Sequence, residues 1–111
     1  MSTNDGIKKE VMAIYAHENN SCVVQHPGRT FPGVLIQGDS LFVLFDHAMT
    51  VCECLQGKGD KETFLAALEL AKLLESHVQN YEEALAEKGI RLPYSRDTGR
   101  NTDNFCGKPN A

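Results

Sequence analysis

Fifteen consecutive residues, Pro27-Gly28-Arg29-Thr30-Phe31-Pro32-Gly33-Val34-Leu35-Ile36-Gln37-Gly38-Asp39-Ser40-Leu41, hold two prolines, three glycines and a Val-Leu-Ile run. Proline fixes φ and removes a backbone donor, whereas glycine opens conformations closed to other residues. So dense a mixture dictates a tight turn, a strand and a helix start in succession. The segment contains no nucleophile–base pair, metal cluster or phosphate loop. It therefore constrains shape and surface more than chemistry. Gly28, Gly33 and Gly38 read as backbone requirements, and Arg29 reads as a side chain presented on a turn.

The flanking pattern extends this into a fold. Val11-Met12-Ala13-Ile14-Tyr15-Ala16 is a short apolar run that ends in turn chemistry at Glu18-Asn19-Asn20-Ser21. Cys22–His26 is a second strand-like run, closed by Pro27–Thr30, and Val34–Gln37 is a third. Three such runs joined by short turns predict an antiparallel meander. Gly38 then stops the strand, and Asp39 or Ser40 can cap a helix. Leu41, Leu44, Phe45, Ala48, Val51, Cys52 and Leu55 form one apolar stripe on a helix of about four turns. Gln56–Gly59 ends it.

Asp60 is a second N-cap, and the spacing predicts a long helix over Lys61–Lys88 with Gly89 as its left-handed terminator. Its stripe is Phe64, Ala67, Leu68, Ala71, Leu74, Val78, Tyr81 and Leu85; Leu65, Leu70 and Leu73 widen the apolar arc. The long helix should span roughly 40 Å and the short one roughly 22 Å. A small sheet and one short helix cannot cover that length, so a homodimer through the long helix is expected. The fold class is α+β: a three-stranded antiparallel meander, then a short and a long helix. Residues 8–94 are expected to form one domain, with Ile90–Tyr94 extended against it. Residues 95–111, polar and glycine-bearing, are expected to be a disordered tail.

The chain has 111 residues, 41% of them apolar, and a formal charge of −4. Its acidic balance argues against non-specific nucleic-acid binding, which needs Lys and Arg on phosphates. A basic protein partner suits it better. No apolar stretch reaches about 18 residues, so no membrane span is expected. The polar first ten residues lack the apolar segment of a signal peptide, and a cytoplasmic location with four reduced cysteines is expected.

Candidate chemistry is sparse. Cys52 and Cys54 lie about 200° apart on a helix and cannot converge with His47 on one zinc ion, so Cys52, on the apolar stripe, reads as a core thiol. Cys22 and His26 share a strand face and suggest a Cys–His dyad, without a third orienting group. Cys106 falls in the expected tail, and His77 reads as helix surface. Gly28, Gly33 and Gly38 do not follow G-x-G-x-x-G spacing. No metal or cofactor is called for. Arg29 either pairs with a carboxylate such as Asp39 or serves recognition. The binding surface expected is Arg29, Phe31, Gln37 and Asp39.

The stretch Pro27–Leu41, with Cys22-Val23-Val24, Tyr81-Glu82 and Gly89-Ile90-Arg91-Leu92-Pro93-Tyr94, resembles an uncharacterised family of small bacterial proteins. That family shares a P-G-R-x-[FY]-P-G-x-x-I-Q-G-D-[ST]-L core, and the resemblance carries no known activity. Phe31–Leu41 and Tyr81–Pro93 also resemble the HicB antitoxins, which run strand, P-G-x-x-x-Q-G-D-T-L, helix. Those proteins cover a small mRNA-cleaving toxin and usually add a DNA-binding segment. This chain has a longer helical part and a polar tail in that segment's place. The resemblance thus implies a non-catalytic interaction protein that neutralises a basic protein or toxin. The enzymatic alternative is a small cysteine-dependent hydrolase or transferase using Cys22 and His26; a purely structural dimeric subunit is a third class.

Overall fold

The computed structural model describes residues 7–18, 21–96 and 100–105. Contacts divide the chain into two units, one ending at Gln37 and the other beginning at Gly38.

The first unit is an antiparallel sheet of β1 (Ala13–Glu18), β2 (Ser21–Gln25) and β3 (Gly33–Leu35), in the order β1-β2-β3. β1 starts two residues later than the apolar run and continues to Glu18, which pairs with Ser21. Ile14 faces Val24 while Ala16 faces Val23, so Tyr15 is the extra residue of a β-bulge. The pairing Cys22–Leu35, Val24–Gly33 and Ile14–Val24 puts Ile14, Cys22, Val24 and Leu35 on one face. Ala16, Val23 and Val34 occupy the other. Ile14, Val34 and Leu35 are exposed.

The second unit is built on a helical hairpin, α1 (Gly38–Leu55) and α2 (Lys61–Lys88). The Asp60 carboxylate accepts from the Glu62 N–H and from the Thr63 hydroxyl, tying the first turn of α2. At the other end Gly89 takes φ 70° and donates to the Ala86 carbonyl, while the Ile90 N–H reaches the Leu85 carbonyl. That pair of bonds is a Schellman terminator, and the left-handed residue is the glycine the sequence supplies. Phe45, Ala48, Met49 and Cys52 of α1 pack with Leu68, Ala71 and Val78 of α2 to form the core. The core face of α1 is rotated from the expected stripe: Met49 and Phe42 turn inward, whereas Leu44 and Val51 stay exposed. α1 is apolar on most sides, so sequence period alone underdetermines which side meets α2.

The chain then crosses back over the hairpin. Residues 95–111 were expected to form a disordered tail; within that range, Thr102–Phe105 form a 3₁₀ turn docked on α2, with Thr102 buried. Composition alone gives no sign of this turn, because its contacts, polar at Thr102 and aromatic at Phe105, are distant in sequence. Residues 97–99 and 106–111, with Cys106 among them, lie outside the described residues.

Among the described residues no helix is long and apolar enough to cross a membrane.

Candidate functional site

The turn between β2 and β3 holds the first two expected binding residues. The Arg29 N–H donates to the His26 carbonyl at 3.0 Å, which closes the turn around Pro27 and Gly28. The Gln25 amide donates to the Arg29 carbonyl at 2.7 Å, and the Gly28 N–H donates to Nδ1 of His26 at 3.0 Å. The turn backbone is thus held from both sides. Its side chains are not: Phe31 is 78% exposed, and Arg29 is exposed, with no ion-pair partner within its unit among the described residues. Gly28, Arg29, Thr30, Phe31 and Gly33 line a shallow open recess.

The structure distributes the other expected site residues differently. Gln37 is exposed at the end of the first unit, while Asp39 lies in the second, in the first turn of α1. The Asp39 carboxylate accepts from the N–H of Ser40 at 2.8 Å. Helix α1 begins at Gly38, so neither Asp39 nor Ser40 precedes it as a cap. None of Gly28, Gly33 and Gly38 has a positive φ, which corrects the expectation that all three are backbone requirements. Only Gly38 is needed, for space: a Cβ there would lie 1.9 Å from Cζ of Tyr81.

Cys22 and His26 sit four positions apart on an extended strand and its continuation, roughly 13 Å along the chain. His26 Nδ1 is engaged by Gly28, and its Nε2 lies 3.8 Å from Glu10. Cys52 is fully buried in the core and Cys54 is exposed. Burial, and then the neighbouring Glu53 charge, push the Cys52 thiol above its usual value. Among the described residues no cluster of three or more His, Cys, Asp and Glu could hold a metal ion.

A second constellation, absent from the sequence-based expectations, lies where the C-terminal segment crosses the hairpin. The Tyr94 ring stacks on Phe42 at 4.1 Å, and its hydroxyl donates to Glu82 at 2.9 Å. Burial first, then this hydrogen bond, push the Tyr94 phenol well above its ordinary value. Arg96 bonds Glu82 at 2.9 Å and lies over the Phe42 and Phe45 rings. Arg100 bridges α1, pairing with Asp46 and with Glu53 at 3.0 Å and donating to the Thr50 hydroxyl. Glu75, 9% exposed, accepts from the Thr102 N–H at 3.0 Å and from its hydroxyl. Phe105 meets Phe64 edge-on. One sequence signal could have pointed here: Glu75 falls four residues after Ala71 and three before Val78, a carboxylate on the apolar stripe.

Residues 7–94 match the model of DUF6959, a family of unknown function. No curated protein and no solved structure matches the chain.

Proposed function

The chain belongs to this family of unknown function; since membership brings no activity with it, we propose from the chain's own surfaces that it is a non-catalytic protein-interaction module. The observation that carries the reading is the β2–β3 turn, a tied backbone that leaves Arg29 and Phe31 open to solvent. Arginine and aromatic side chains on rigid turns are the residue types that anchor protein interfaces. The partner is a basic protein, in keeping with the formal charge of −4. The role proposed is neutralisation of that partner in the cytoplasm, the reading suggested by the resemblance of Phe31–Leu41 and Tyr81–Pro93 to the HicB antitoxins.

The same proposal includes a homodimer through α2. Leu65, Leu70 and Leu73 are 49%, 54% and 59% exposed on the outer arc of that helix. A recess there is lined by Leu65, Leu68, Glu69, Lys72 and Leu73. Apolar residues flanked by one charge of each sign can complement themselves across a twofold axis, Glu69 of one copy against Lys72 of the other.

The test is affinity capture, from cells that encode it, with the wild-type chain and an Arg29→Ala/Phe31→Ala chain of equal melting temperature. A basic protein retained by the first and lost by the second supports the reading. Equal retention by both removes the turn as the recognition site.

A further inference from the structure

The described C-terminal residues, 94–96 and 100–105, lie against α1 and α2 through side-chain contacts. Each of their anchoring side chains meets a matching group: Arg96 meets Glu82, Arg100 meets Asp46 and Glu53, Thr102 meets Glu75, and Phe105 meets Phe64. The family match ends at Tyr94, so the docked residues beyond it lie outside the matched region.

The grip is uneven. The Asp46 and Glu53 side chains under Arg100 are 43% and 49% exposed, so those pairs are weak and screened by salt. Glu75 is the opposite case. A carboxylate sunk into an apolar stripe is costly to desolvate and has room for about four donors. Thr102 supplies two, a backbone N–H and a hydroxyl. A guanidinium would supply a planar, charge-assisted fork to both oxygens at once. The surroundings also favour cations: residues 38–94 hold ten Asp and Glu against five Lys and Arg.

We infer that this segment is an internal occupant of a peptide-binding groove, displaced by an extended segment of a protein partner carrying arginine and aromatic side chains. An arginine over Glu75 makes the stronger bond that Thr102 cannot. The inference shares with the proposed function the premise that the chain binds a protein. Its probe is taken from this chain, so a silent Arg29–Phe31 turn and an empty groove give different results.

The experiment uses the full-length chain, wild type and Arg100→Ala/Phe105→Ala, with a fluorescent peptide of residues 94–105 as probe. A competitor held in place lowers apparent affinity by the fraction of open groove. The double variant should therefore bind the peptide about tenfold or more tighter than wild type, with binding weakening as salt rises. A peptide carrying Arg100→Ala should bind markedly less well. Equal affinity of the two chains, or no binding by a double variant that keeps its helical circular dichroism, overturns the inference. So does loss of that helical signal in the double variant, because the segment would then be part of the fold and not a displaceable cover.

Discussion

Gly38 opens α1 against the ring of Tyr81, and a methyl group on its Cα would sit 1.9 Å from Cζ of that ring. Tyr81 cannot swing away cheaply, because its ring packs with Tyr94 at 6.4 Å. Gly38→Ala should cost about 1–3 kcal/mol through overpacking. Gly33→Ala should stay within about 0.5 kcal/mol, since nothing lies within 4 Å of its Cβ position and its φ is not positive. Urea denaturation of both variants checks the contrast. Equal losses would mean that Gly33 is constrained by something outside its immediate shell.

The two cysteines of α1 should separate in a labelling experiment. Cys54 is exposed, whereas Cys52 is buried with its thiol held protonated. Under native conditions iodoacetamide should modify Cys54 readily and reach Cys52 only on unfolding. Cys52→Ala should cost on the order of 1 kcal/mol through a small cavity. Equal labelling rates would contradict the packing described.

Tyr94 predicts alkaline sensitivity. Its pKa in the folded state lies above the ordinary value of 10.0, so folding favours the neutral phenol. The associated stability is intact below about pH 10 and is lost as the pH rises toward the folded-state value. Tyr94→Phe should flatten the dependence of melting temperature on pH in that window. An unchanged slope would show that the phenol is not responsible.

Arg29→Ala should leave the melting temperature nearly unchanged, because no ion pair within its unit depends on it among the described residues. If Arg29 anchors a partner, the same variant should weaken binding by about 1–3 kcal/mol. Differential scanning fluorimetry and a binding titration read the two effects separately. A large melting shift would assign Arg29 a structural role.

The proposed dimer gives a direct number. Light scattering should report twice 12.3 kDa for the wild type. Leu65→Asp/Leu73→Asp should report the single mass with an unchanged helical signal, since both side chains are exposed on α2. A wild-type monomer would remove the dimer from the reading.

Features legible in the sequence were those decided by neighbours along the chain. Asp60 and Gly89 bracket α2 at the expected residues because caps are local devices, each satisfied within a few positions. The strand order followed from three runs joined by short turns. The first strand edge and the inward face of α1 were harder. Glu18 is held in β1 by pairing with Ser21, and Met49 is chosen over Val51 by the position of α2. For the candidate site, Arg29 and Phe31 stand on the turn that Pro27 and Gly28 announce, while Asp39 belongs to the other unit. Arg100, Thr102 and Glu75 were hidden. Their contacts span 27 to 54 residues, and a polar segment announces no such partner.

Five residues, 56–60, join α1 to α2, so little loop entropy opposes their pairing. Thr102 reaches Glu75 across 27 residues, so its docking closes a longer loop. Until it docks, Glu75 lacks its two donors from Thr102 and Phe64 its edge-on neighbour. In refolding, amide protection of α1 and α2 should therefore appear before that of the segment carrying Thr102.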